Sequence, residues 1–220
     1  MREYVRYNIN RFLSTSNVEI IDIFKAWFAV SLAFGIVLGG LSIKFFSSFI
    51  IAAVAVGLGF LLHELSHKFV AQKYGYQAEF RSFDQMLILA IVMSFFGFVF
   101  AAPGAVMIFS RVFDKKKNGI ISVAGPLMNI FLSLITLIIA VIISGGFFNA
   151  LNILHQPLDK LLNINLGYAI LSISFLINSW LALFNMIPFF VFDGAKIFKW
   201  NKLVYFTVLF ISLILVFIIW

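Results

Sequence analysis

FFSSFIIAAVAVGLGFLLHELSHKFVAQ, residues 45–72, is long and apolar enough to cross a bilayer as one helix, yet near its end it carries His63, Glu64 and His67. A helix rises about 1.5 Å per residue, and about 20 apolar residues span the hydrocarbon. A helix starting near Phe45 therefore reaches His63 after roughly 27 Å, near the edge of the hydrocarbon. Ionisable groups are costly at that depth and mark a functional site by default. His63 and His67 are four residues apart and share a helix face, with Glu64 about 100° round from His63. Two imidazoles on one face can ligate one ion, and Glu64 is close enough to reach a water on it. Zinc suits two neutral imidazoles and a carboxylate, and it lowers the pKa of a bound water to about 7. The same spacing arises by chance on soluble helices as salt-bridging surface residues. Membrane depth argues against that here, as does the fact that the chain has only three histidines.

Composition agrees. Of 220 residues, 63% are hydrophobic and 11% charged, and mean hydropathy is +1.07. A soluble domain of this size could not bury so much apolar surface, so an all-α polytopic membrane protein is expected, with the lipid bilayer as its solvent. The net charge of +7 is modest, and no basic patch is interleaved with aromatics in a soluble context, so nucleic acid is not an expected partner. The positive charge is better read as setting topology. The absence of cysteine excludes thiolate ligands and disulfides. Residues 1–20 carry Arg2, Arg6 and Arg11 and lack a signal-peptide pattern. No repeat or flexible linker breaks the chain, so residues 1–220 are expected to form one transmembrane domain with no appended soluble domain.

About five full spans are expected, over residues 26–41, 45–72, 120–144, 166–187 and 203–220. The segment 86–109 is apolar but interrupted by Gly97, Pro103 and Gly104. It reads either as a simple span, which would export the Lys cluster that follows it, or as a re-entrant element, the reading that loop charge favours. With the N-terminus in the cytoplasm, Lys44 is the lone outer charge of the first loop, and Lys68, Lys73 and Arg81 are inside. The cluster Arg111, Lys115, Lys116 and Lys117 also belongs inside, which requires 86–109 to enter and leave by one face as a re-entrant or broken element. Residues 145–165 then form an outer loop with an interfacial helix, Lys196, Lys199 and Lys202 are inside, and the C-terminus is outside. The site faces the cytoplasmic side of a cell membrane. Within the broken element, FAAPGAVMIF, 100–109, reads either as a plain broken helix or as a small β edge beside the site. Pro103 and Gly104 are its candidate substrate contacts.

A third protein ligand must come from a short acidic inventory. Asp159 is on the wrong side under this topology. Glu3, Glu79 and Asp114 lie among basic residues and read as solvated, and Glu19 and Asp22 read as the interfacial cap of the first span. Asp84 is an option. Asp193 is the strongest candidate, because it follows the apolar PFFVF and returns to the face that carries HELSH. Its plainer reading is an N-cap for AKIFKW. Lys68, one turn after Glu64, is expected to snorkel to the interface rather than to pair with the base.

HELSHKFVAQKYG together with Asn185, Pro188, Asp193 and Gly194, in the pattern N-x-x-P-x-x-x-x-D-G, resembles the site-2 protease family of intramembrane zinc metalloproteases. AGPLMN, with Gly125 and Asn129, resembles that family's G-x-x-x-N motif. The likeness covers roughly residues 45–200. It implies cleavage of a peptide bond in or near a transmembrane segment of a protein substrate. It also implies one Zn2+ per chain on His63, His67 and Asp193, with Glu64 as general base and Asn185 holding substrate or the oxyanion. Ser66 stands where the family commonly has glycine, and AKIFKW follows the Asp-Gly pair in place of a G-R-hydrophobic pattern.

Three other readings compete. A prenyl-protein protease also places HExxH in membrane helices but usually takes Glu or His as third ligand, and no further Glu stands at membrane depth. A metal transporter should carry polar residues through several spans, whereas here they gather near one face. A non-catalytic scaffold would not need all four key residues.

Overall fold

The structure, a computed structural model, describes residues 6–8, 13–99, 103–110, 114–189 and 191–218. Glu3, Arg2, Arg11 and Arg111, and residues 100–102 of the expected β edge, lie outside the described residues.

A strand pair opens the chain, β1 (Arg6–Asn8) antiparallel to β2 (Ser14–Ser16). Ser16 then caps α1 (Asn17–Gly39), its hydroxyl accepting the Glu19 N–H at 3.2 Å. The helix stops at Gly40, whose φ of 60° is left-handed. This first helix begins well before the expected Ala26. Glu19 is not an interfacial cap but is fully buried inside the fold.

α2 (Phe45–Ala52), a π-helical turn (Ala53–Gly57) and α3 (Leu58–Lys73) run on as one helix from Phe45 to Lys73. The wider turn leaves backbone carbonyls without their usual partners, and the Trp27 indole donates to the Ala53 carbonyl at 3.0 Å. β3 (Gln77–Ser82) follows, then α4 (Asp84–Ser94) and β4 (Gly104–Phe109), which returns antiparallel to β3. Ser82 pairs with Gly104, and the Phe83 N–H donates to the Pro103 carbonyl at 3.1 Å. The excursion that starts at Asp84 therefore ends beside its own beginning. Of the two readings for 100–109, the strand is found over Gly104–Phe109.

α5 (Lys115–Ser144) is the longest helix, capped by Asp114 and ended at left-handed Gly145. Two short helices, α6 (Phe147–Leu154) and α7 (Leu158–Ile164), fill the stretch expected to be an outer loop. α8 (Leu166–Asn185) leads to α9 (Asp193–Trp200) and α10 (Lys202–Phe217), each preceded by an Asn or Phe in extended conformation.

Among the described residues four helices are long and apolar enough to cross a membrane: Asn17–Gly39, Phe45–Lys73, Lys115–Ser144 and Leu166–Asn185. The fifth expected span is represented by α10, a shorter apolar helix. Large apolar side chains cover the outside of the bundle, among them Phe28, Phe131, Ile142 and Phe210. Such a surface is stable only against lipid or a protein partner. Inside, Phe175, Met186, Ile197 and Tyr205 form the core between α8, α9 and α10. Ala26, Leu61, Phe80 and Leu87 seat the β3–β4 hairpin on α1 and α3.

Candidate metal centre and its surroundings

His63 and His67 on α3 and Asp193 at the start of α9 converge in the buried interior. The two Nε2 atoms are 3.1 Å apart. Asp193 Oδ2 lies 3.3 Å from Nε2 of His63 and 3.1 Å from Nε2 of His67. Two ligand atoms on a tetrahedral ion at about 2.0–2.1 Å are about 3.3 Å apart, so the three donors sit at the spacing of one tetrahedral face.

Both imidazoles are held through their other ring nitrogen. His67 Nδ1 donates to the Ile121 carbonyl at 2.8 Å, and His63 Nδ1 lies 2.5 Å from Asn129 Oδ1. The Asn129 amide nitrogen is engaged with the Gly59 carbonyl at 3.3 Å and Asn178 Oδ1 at 2.9 Å, which turns its oxygen to His63. With both Nδ1 atoms donating, both Nε2 atoms present lone pairs. Three acceptors then face one point, an arrangement that a cation satisfies. The residues present fit zinc on donor type, spacing and tautomer.

Two glycines make the approach possible. A Cβ on Gly125 of α5 would stand 2.5 Å from His63 Cε1 and Nε2 and 2.5 Å from His67 Nε2. A Cβ on Gly194 would collide with the carbonyl of Met186, so only glycine lets the Asp193 turn dock on the end of α8. Asp193 is the first residue of α9 rather than its cap, which is Phe192. Lys196 faces the other carboxylate oxygen, with Nζ 3.7 Å from Oδ1.

Glu64 lies beside the triad and accepts the Val106 N–H from β4 at 3.0 Å through Oε2. Both border a cavity of about 590 Å³ that also reaches His63, His67, Pro103, Gly104, Asn185 and Asp193. The sequence-derived site residues thus share one cavity. Asn185 also lines it, with its amide donating to the Leu181 carbonyl at 2.9 Å.

Other acidic residues are accounted for elsewhere. Asp84 takes Lys25 at 2.6 Å and Ser82 at 2.9 Å, and these two bonds hold its carboxyl below the usual carboxylate range. Glu79 is buried and paired with Arg81, not solvated as its basic neighbours suggest. Lys68 is buried too. Its ammonium bonds Glu19 at 2.7 Å, so it neither snorkels nor competes for Glu64. Asp159 pairs with Lys44 at 2.7 Å, joining two stretches that loop charge assigns to the outer side. His155 is exposed and bonds the Leu151 carbonyl.

Sequence reasoning noted Asn129 without giving it a role and passed over Asn178, Val106 and Ile121. Two of these contacts are made by backbone atoms, which no side-chain pattern can report. Asn178 shows one usable signal, a buried amide within an apolar helix.

Residues 51–201 match the family model described as Peptidase family M50. The chain belongs to peptidase family M50. This is the site-2 protease family to which the HELSH and Asp-Gly motifs point. Two relatives come from Methanocaldococcus jannaschii. One, provisionally named a zinc metalloprotease, is 40% identical over 158 residues, covering 71% of this chain and 73% of that protein. The other, named a zinc metalloprotease, is 30% identical over 167 residues, covering 76% of this chain and 39% of that protein. No solved structure matches the M50 chain. The family match contains α3, the β3–β4 hairpin, α5, α8 and Asp193, and so every element that builds the centre.

Proposed function

We propose that this chain is an intramembrane zinc metalloprotease that hydrolyses a peptide bond in or near a transmembrane segment of another protein. His63, His67 and Asp193 hold one zinc ion, and Glu64 is the general base. One observation carries the reading: a buried three-donor cluster shares a cavity with a carboxylate and with the edge of β4 that faces away from β3. The names of the two relatives and the lipid-facing surface of the bundle support it. Zinc, when bound there, supplies Lewis-acid activation of water and of the scissile carbonyl.

The residues divide the remaining work. Glu64 takes a proton from the attacking water at its carboxylate and delivers it to the leaving nitrogen. Asn129 and the Ile121 carbonyl keep the two imidazoles in the ligating tautomer. A substrate helix hides its carbonyls in its own hydrogen bonds and must be extended before attack. β4 can receive it. The Val106 N–H points to Glu64 and away from β3, so by the alternation of an antiparallel ladder the polar groups of Gly104, Val106 and Ile108 face the cavity. An extended segment can add there as a further strand. Asn185, in the cavity lining, offers its second amide N–H to substrate or to the developing oxyanion.

Orientation follows loop charge. Lys117 lies over the Tyr74 and Tyr76 rings at 5.9 and 5.5 Å, which groups the basic loops after α3 and before α5 at one end. Lys196 joins them near Asp193. The rule for positive loops puts this end, and the zinc, toward the cytoplasm of a multi-pass cell-membrane protein.

The test is reconstitution. Purified protein with one zinc per chain should cleave a single-span fusion substrate in liposomes, and Glu64→Gln protein should keep zinc and lose cleavage. Equal cleavage by Glu64→Gln protein overturns the mechanism.

A further inference from the structure

A second cavity of about 400 Å³ adjoins the metal-site cavity and shares Phe60, Pro103, Leu181 and Phe184 with it. Its wall is apolar throughout and includes Ala90 of α4 and Trp180 of α8. From the proposal that an extended substrate adds to β4, we infer that this chamber is a specificity pocket. It takes one large apolar side chain of the substrate, of the Phe or Leu class.

Three observations carry the assignment. The first is continuity: the four shared residues form the boundary between the chamber and the cavity that holds Glu64 and the imidazoles. The second is position. Val106 is the residue of β4 that meets Glu64, and Pro103, next to Gly104, lines both cavities. Residues advance about 3.4 Å along a strand, so Pro103 lies about 10 Å, three residues, from the point opposite Glu64. A substrate strand lying along β4 thus brings a side chain to the chamber about three residues from the bond that is cut. The third is chemistry. A transmembrane substrate offers large apolar side chains at nearly every position, and an uncharged wall selects among them by size. The π-helical turn contributes Val56 to the wall one element before the histidines, so the pocket and the metal ligands stand on one continuous helix.

The chain has no cysteine, which permits a readout that needs no catalysis. Trp180→Cys in a Glu64→Gln background is incubated with single-span substrates carrying one cysteine at successive positions. Disulfide yield should peak at one position, about three residues from the bond cleaved by the parent. A yield no higher than from Ile142→Cys, on the lipid-facing side of α5, overturns the inference and leaves the chamber to lipid.

The second arm uses active protein. The parent should prefer Phe over Ala at the crosslinked position by about tenfold or more in kcat/KM, as expected for filling an apolar pocket. Ala90→Phe should abolish that preference by lowering cleavage of the Phe substrate, with the Ala substrate within about twofold. Trp180→Ala should extend acceptance to Trp. A preference unchanged in both variants refutes the pocket while leaving the protease reading intact. Should Glu64→Gln cleave like the parent, the protease mechanism fails, and the crosslink still decides the chamber.

Discussion

Asn129 grips His63 from behind. Its side-chain oxygen lies 2.5 Å from the ring Nδ1, and its own amide is fixed by Asn178, with both asparagines buried. A metal-ligating imidazole needs such a partner to fix its tautomer and ring angle, and losing one typically lowers affinity by about 10–100-fold. Asn129→Ala should therefore weaken zinc binding by about that factor with little change in helicity. Asn129→Asp, which keeps an acceptor facing Nδ1, should retain most of it. Competition titration with a zinc indicator beside circular dichroism separates the two, and unchanged affinity in Asn129→Ala would remove Asn129 from the centre.

Metal content and activity should come apart at Glu64 and fall together at Asp193. Glu64 accepts a backbone N–H from Val106 and is not one of the three clustered donors. Glu64→Gln should hold about one zinc per chain and lose at least about a hundredfold in cleavage, the lower end for a general base. Asp193→Ala should lose both, as should the parent treated with a chelator, and added zinc should restore only the parent. Elemental analysis and cleavage assays on the same preparations give the answer. Zinc retained in full by Asp193→Ala would favour a different third ligand.

What sequence could see and what it could not follow from the range of the interactions. The meeting of the HELSH face with the Asp-Gly pair was legible, because helical spacing and an ionisable group in an apolar run are local properties. The partner of Lys68 was not. Glu19 lies 49 residues away, and nothing near Lys68 announces it, so the interfacial reading of both residues failed. The start of α1 was misplaced for the same reason: Glu19 looks like a boundary until its partners are known. β4 was ambiguous because GAVMIF is too short for a strand period to show, and only its pairing with Gln77–Ser82 decides it. Four of the five expected spans have a long apolar helix among the described residues, and the fifth falls on α10, a shorter apolar one.

Gly125 should tolerate no side chain. Any Cβ there meets three ring atoms of the two histidines, and neither ring can retreat, since each is bonded through Nδ1. Gly125→Ala is expected to lower zinc affinity by about tenfold or more, comparable to losing an orienting partner. α5 should remain folded, because alanine is the better helix former. Normal helicity with lost zinc is the signature to look for. Normal zinc affinity would mean that α5 can back away from α3.

Glu19 should govern stability rather than chemistry. It is fully buried and accepts Lys68 Nζ at 2.7 Å, Thr15 Oγ1 at 2.8 Å and the Phe80 N–H at 2.8 Å. It thereby ties α1 to α3 and to the hairpin that carries β4. Removing one member of a buried ion pair strands the other, at a cost of about 3–5 kcal/mol. Glu19→Gln leaves Lys68 charged and unpaired, so a clear fall in Tm is expected. Lys68→Met combined with Glu19→Gln removes the stranded charge and keeps an oxygen for the Phe80 N–H, so the double variant should melt above the Glu19→Gln single variant. Thermal unfolding in detergent, followed by tryptophan fluorescence, orders the three proteins. A double variant less stable than the single one would show that Lys68 supports the hairpin by packing and not by charge.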